Sequence, residues 1–161
     1  MLTAMYERNY LIMKINMKLH KKFLQDWLWK PNDYDKGFWV QCVDLAKAYS
    51  KEVFWIELWN FSWWALKAWL SGSPFNSKWI RINNTSSFIP LCGDIVFFDK
   101  TASNKYGHVA LINNANIKEI EVLEQNWWKG SWTWLWPDAI RLKKYNYLTP
   151  KVLGFFRFIW K

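Results

Sequence analysis

A chain of 161 residues with 52% hydrophobic content is long enough for one domain with a real core, and too apolar for a disordered segment. Its two cysteines, Cys42 and Cys92, are too few for a disulfide scaffold. A formal charge of +9, from 22 Lys and Arg against 13 Asp and Glu, favours polyanions: nucleic acid, anionic lipid or an acidic cell-wall polymer. A solvated surface that keeps the protein soluble satisfies the same count.

In chain order, residues 1–24 read as a basic N-terminal extension and residues 25–161 as one domain, since no internal repeat or Pro/Ser linker divides them. The extension has no secretory core, because charge breaks LIMKINMKLH every few residues. No stretch reaches transmembrane length. His20 lies in this basic stretch and reads as a surface residue. KKFLQDWLWKPND predicts a short helix ending before Pro31, which disfavours helix in the residue ahead of it.

VQCVDLAKAYSKEVF places apolar or small residues at Val40, Val43, Ala46, Tyr49, Val53 and Phe54, a helical spacing with Cys42 in the first turn. NFSWWALKAWLSGS predicts another helix, capped by Asn60 or Ser62 and stopped at Gly72. From residue 80 the period changes. GDIVFFD, HVALINN, IEVLEQN, AIRLKK and VLGFFRFI are short β-branched or aromatic runs separated by Asn, Gly, Lys and Pro. Helices first and strands after predict an α+β fold with an antiparallel sheet.

The aromatic composition is anomalous: 15 tryptophans accompany only 6 glycines, whereas glycine ordinarily makes up about 7% of residues. NWWKGSWTWLWPD has loop composition apart from its tryptophans, at a place where glycine is expected. Trp55 follows the helix ending at Phe54, a slot that favours glycine. One reading is an aromatic surface that stacks on sugars or bases. The other is that many of these positions are UGA codons rendered as Trp that the source organism reads as Gly. Trp27, Trp69 and Trp79, in ordinary apolar settings, are the best candidates for true tryptophan.

A thiol is a useful nucleophile as thiolate, which a helix N-terminus and a nearby histidine favour. Cys42 has the helix position, and His108 opens the strand HVALI just after Gly107. A lone histidine at a strand start is usually structural; beside a helix-start cysteine it becomes a candidate general base. Glu124 and Asn126, at the end of the next strand, are expected on one face by period-two alternation, where either would orient the imidazole. Asp94 reads as a strand-end residue and Cys92 as a small buried or semi-buried thiol; Cys92 and the two histidines form no zinc spacing.

Taken in order, GFWVQCVDLAKAY, IPLCGDIVFFD, YGHVALI and EVLEQN resemble the cysteine, histidine-dependent amidohydrolase/peptidase (CHAP) family over roughly residues 25–158. The resemblance implies a papain-like α+β fold and cleavage of amide bonds in peptidoglycan. It implies that Cys42 is the nucleophile, His108 the general base, Glu124 the residue that orients it, and Asn126 a further polar member. Gln41 and the Cys42 backbone N–H are candidates for an oxyanion site. The chain departs from the family at Trp39, Trp127 and Trp128, where glycine is typical.

Asp33 and Asp35 precede Cys42, and Asp44 follows it, a set of hard oxygen donors that suits a cation such as calcium. A plain polar loop, with Asp44 as a helix-dipole partner, accounts for the same residues. Some phage-lysin members of the family bind calcium in this loop. The resemblance therefore implies carboxylates from Asp33, Asp35 and Asp44 and carbonyls from Gly37 and Trp39 as a structural calcium site, with no organic cofactor.

The expected function is a monomeric peptidoglycan hydrolase, an N-acetylmuramoyl-L-alanine amidase or an endopeptidase with a thioester intermediate, of phage-lysin or virion-associated type. It would be made in the host cytoplasm, act at the bacterial cell wall, and draw on anionic wall polymers without specific nucleic acid. The alternative is a non-catalytic glycan-binding module of the same fold.

Overall fold

The change of hydrophobic period near residue 80 is where helices give way to strands. The computed structural model describes residues 2–37, 40–58, 64–71, 78–126, 139–146, 148 and 151–159, with the backbone alone for 2–13 and 15. Helices α1 (Leu2–Trp27), α2 (Cys42–Phe54) and α3 (Ala65–Leu70) precede strands β1 (Trp79–Asn83), β2 (Ile95–Phe98), β3 (His108–Ala115), β4 (Ile120–Glu124), β5 (Arg141–Tyr145) and β6 (Val152–Phe158). The strands form one six-stranded sheet in the order β1-β6-β2-β3-β4-β5. Every pairing is antiparallel. The α+β expectation holds, with helices packed on a C-terminal antiparallel sheet.

Alternation along the central strands sends side chains to two cores. Ile95, Phe97, Val109, Leu111 and Leu123 join Val43, Ala46, Tyr49, Val53 and Phe54 of α2 on one face. Val96, Phe98, Ala110, Ile112, Ile120 and Val122 fill the other, with Phe88 and Phe155. Burial on both faces explains why IVFF reads as an unbroken apolar run. Each buried Val, Leu, Ile or Phe among them contributes about 1.5–3 kcal/mol by leaving water.

Four expectations change. The short helix before Pro31 is the last part of a 26-residue α1 that runs without a break through residue 24. Its last turns belong to the domain: Phe23 is in the core, with Leu19, Leu24 and Trp27 packed against it.

His20 is buried, not at the surface. Its Nδ1 lies 2.8 Å from the Tyr49 hydroxyl and its Nε2 2.9 Å from Asn113 Oδ1. An amide oxygen only accepts, so Nε2 carries the proton and Tyr49 donates to Nδ1. Burial lowers the His20 pKa, partly opposed by the Asn113 bond. One histidine thereby ties α1 to α2 and β3. Charge patterning hid it, because a helix can be basic on one face and packed on the other.

Helix α3 begins only at Ala65, with Trp64 in the N-cap position; Asn60, Ser62 and Gly72 lie outside the described residues. Cys92 is exposed, and both cysteines are free thiols. Strand β1 has no counterpart among the sequence-predicted runs. It is an edge strand paired with β6, and only Trp79 is buried, so its alternation is weak. Asp94 is structural as expected: its carboxylate takes both Arg157 Nε at 2.9 Å and Nη2 at 2.7 Å.

Candidate active site

Helix α2 starts at the candidate nucleophile for a local reason. Gln41 is extended (φ −122°, ψ 160°) and its N–H donates to Asp44 Oδ2 at 2.8 Å, while the Asp44 N–H returns to the Gln41 carbonyl at 3.1 Å. This exchange stops the chain before residue 41 and puts Cys42 in the first turn, the end of a helix that stabilises negative charge. Cys42 is half-buried.

The candidate base, His108, arrives from the sheet. Gly107, at φ 71°, leaves no room for a Cβ, which would meet the Phe98 carbonyl at 2.8 Å; this close approach fixes the entry into β3. His108 is fully buried. The register Leu111↔Leu123 carries Glu124 to a position diagonal to His108 on the same sheet face. His108 Nε2 lies 3.5 Å from Glu124 Oε2. Burial is the largest influence on the imidazole and lowers its pKa. The Cys42 sulfur and the Glu124 carboxylate, each by charge and hydrogen bond, outweigh it and raise the pKa overall.

Glu124 is itself held. Burial would raise its pKa, but His108, Tyr145 and Arg141 together lower it. Tyr145 donates its hydroxyl to Oε2 at 2.8 Å and Arg141 Nε donates to Oε1 at 3.2 Å. Burial and the Glu124 charge push the Tyr145 hydroxyl far up, so it stays a donor. The carboxylate beside His108 is thus kept low in pKa and fixed from β5.

Asn126 lies beyond the strand, so period-two alternation does not place it. Strand β4 ends at Glu124, and Asn126 sits beyond it in the left-handed region at φ 54°. Its Nδ2 donates to the Val40 carbonyl at 2.9 Å. Gln125, which alternation assigned to the far side, is buried. Its Nε2 donates to the Asn32 carbonyl at 2.8 Å and the Gln41 carbonyl at 2.5 Å, and its Oε1 accepts the Asn32 N–H at 3.1 Å. Gln125 and Asn126 together strap the segment entering the Cys42 helix to the end of the strand that carries Glu124.

The side-chain oxygens of Asp33, Asp35 and Asp44 lie within 4.8 Å of one another. The Gly37 N–H donates to Asp35 Oδ1 at 2.9 Å, and Lys47 pairs with Asp35. Burial, with the Asp35 and Asp33 charges, raises the Asp44 carboxyl to about 7 against the Gln41 bond and Lys47. Three converging carboxylates that one lysine does not balance fit a hard cation. Trp39, expected to add a carbonyl, lies outside the described residues, as do Trp127 and Trp128.

Sequence reasoning brought Cys42, His108 and Glu124 together and missed Gln125, Arg141 and Tyr145. Gln125 stood inside the quoted EVLEQN block. Arg141 and Tyr145 have no local signal, because only the β4–β5 register sets them against Glu124.

A model of the CHAP domain matches residues 29–126, more than half of the chain. The chain belongs to the CHAP family. The endolysin PlyTW of Staphylococcus phage Twort is 27% identical to this CHAP protein over 99 residues, 59% of this chain and 21% of that one. The crystal structure of wild-type endolysin LysIME-EF1 superposes with a TM-score of 0.70 at 20% identity, covering 93% of this chain and 65% of that one. The crystal structure of Ly7917 gives a TM-score of 0.54 at 16% identity, over 88% of this chain and 62% of that one. This chain therefore spans about a fifth of the phage Twort protein and under two thirds of the two solved chains. No described helix is long and apolar enough to cross a membrane.

Proposed function

We propose that this CHAP protein is a peptidoglycan hydrolase that cuts an amide bond, as an N-acetylmuramoyl-L-alanine amidase or an endopeptidase. The observation that carries the reading is the Cys42–His108–Glu124 array: a helix-start thiol, a buried imidazole acted on by it, and a carboxylate 3.5 Å from that imidazole. The endolysin relatives point to the wall as the place of action, with a phage-lysin or virion-associated setting. A monomer suffices, since the described chain supplies all three groups.

His108 takes the Cys42 proton, and the sulfur attacks the carbonyl carbon. The oxyanion is met by the Cys42 backbone N–H, with the Gln41 side chain as a second donor. His108 returns the proton to the leaving amine, leaving a thioester. Water then attacks with His108 as base, and collapse of the second oxyanion expels the thiol and frees a carboxylic acid. Glu124 holds the ring and stabilises the imidazolium. Gln125 and Asn126 are positioning residues that fix the chain on which the sulfur is carried.

Asp33, Asp35 and Asp44 would hold a structural calcium ion, joined by the carbonyls of Gly37 and Trp39. When bound, the ion would neutralise the carboxylates and stiffen the loop before Cys42. No organic cofactor is needed for the steps above.

The test is digestion of purified peptidoglycan by the protein and by Cys42→Ala, with calcium and with chelator, and mass spectrometry of the fragments. New amine ends that vanish in Cys42→Ala are expected, and their chemistry names the bond. Wall binding by both proteins with no new ends would overturn the hydrolase and leave a glycan-binding module. Anionic wall polymers are expected to aid retention.

A further inference from the structure

Five of the six tryptophans whose side chains are described fall into two populations; the sixth, Trp64, is exposed with an extended backbone and packs on Tyr106. Trp27, Trp69 and Trp79 use their bulk. The Trp27 indole donates to the Glu52 carboxylate at 3.0 Å. Trp69 is 4% exposed, stacks on Phe156 and carries the Arg81 guanidinium 3.9 Å from its ring. Trp79 is 2% exposed and meets Phe54 and Phe158 edge-on.

Trp29 and Trp55 are the opposite. Their rings are 71% and 78% exposed, and their backbones are left-handed, at φ 69° and φ 58°. A Cβ in that region meets the carbonyl oxygen, and bulky side chains are outliers there. Among the described residues only four non-glycines have positive φ, and two of them are these tryptophans. Asn126, a third, is of the type that tolerates the region.

Both positions are demanded by helix ends. Trp55 reverses the chain after α2: the Trp55 and Ile56 N–H groups return to the Ser50 carbonyl, and Ser50 Oγ donates to the Ile56 carbonyl at 2.8 Å. Trp29 lies two residues past the end of α1, and its N–H donates to the Ile140 carbonyl at 2.8 Å. Each is the left-handed slot after a helix that glycine ordinarily fills. Both rings stay largely exposed, so burial does not offset the strain.

We infer that positions 29 and 55 carry glycine in the natural polypeptide, encoded by UGA triplets that the source organism translates as glycine and that are rendered here as tryptophan. The surplus of tryptophan over glycine follows, because one reading rule converts the one into the other wherever that triplet occurs. Trp27, Trp69 and Trp79 remain tryptophan. This inference stands independently of the hydrolase, since it rests on backbone angle and exposure at two positions away from the thiol.

Two measurements test it. Peptide mass spectrometry of the protein isolated from its source is expected to show FLQDWLGK for residues 23–30, with Trp27 as its single tryptophan and glycine at position 29, and glycine at position 55. Thermal melts of the chain as written are expected to rise by about 2–4 °C with each of Trp29→Gly and Trp55→Gly. The same melts should fall with Trp69→Gly and Trp79→Gly. Tryptophan at position 55 in the natural protein would overturn the inference, as would a lower melting temperature for Trp55→Gly.

Discussion

Glu124, in its proposed role, depends on two donors from a neighbouring strand. Tyr145 and Arg141 both lower the pKa of this carboxyl, so losing either raises it. The sign for activity follows: Glu124 must be ionised to hold the imidazolium, and a higher pKa moves the acid limb of kcat/KM upward. A hydrogen bond to a charged group is worth about 1.5–3 kcal/mol, and 1.36 kcal/mol is one pH unit. Tyr145→Phe is therefore expected to shift the acid limb up by about one unit in a peptidoglycan-fragment assay. An unchanged limb would mean that Tyr145 acts only in packing. Cys42 and His108, the candidate nucleophile and base, were legible as a pair in sequence because their types are scarce: two cysteines and two histidines leave few pairings. Tyr145 was not, since tyrosines are common and its role is set by register.

Among the elements, the end of β4 does more than alternation implied. A strand continuing past Glu124 would have put Gln125 on the opposite face. Instead the chain turns at Asn126, and both amides reach the segment before α2. Gln125→Ala leaves Asn32 and Gln41 without their buried partners, a cost of about 1–3 kcal/mol in stability. Loosening the chain that carries the thiol should lower kcat roughly tenfold to a hundredfold with little change in KM. Alkylation of Cys42 by a small haloamide gives a readout without substrate, and a normal alkylation rate would confine Gln125 to stability. The helices and central strands were legible because their periods are clean. Edge strand β1 was not, because solvent on its outer side relaxes the pattern.

For the whole molecule, the +9 charge has a physical setting. Lys18, Lys21 and Lys22 are exposed along α1, on the side away from the core that receives Phe23. A cationic face attracts an anionic wall over a range set by screening, about 8 Å at physiological salt. Raising salt should therefore weaken lysis of whole cells more than hydrolysis of a small soluble peptide. Equal losses on both substrates would show that the charge serves solubility alone. Composition stated the charge but could not say that α1 is basic outside and packed inside, which only the folded arrangement of its faces reveals.

The buried contact of His20 with Tyr49 and Asn113 bears on how this unit can be moved between proteins. The family match starts at residue 29, so a chimaera cut there would discard the imidazole and leave the buried Tyr49 hydroxyl and the part-buried Asn113 amide without it. It would also lose Phe23 from beneath α2. A transplantable module must begin upstream of His20 and run through β6, which lies between β1 and β2 in the sheet. The stretch that looks most like a dispensable leader is, over its last two turns, a wall of the building.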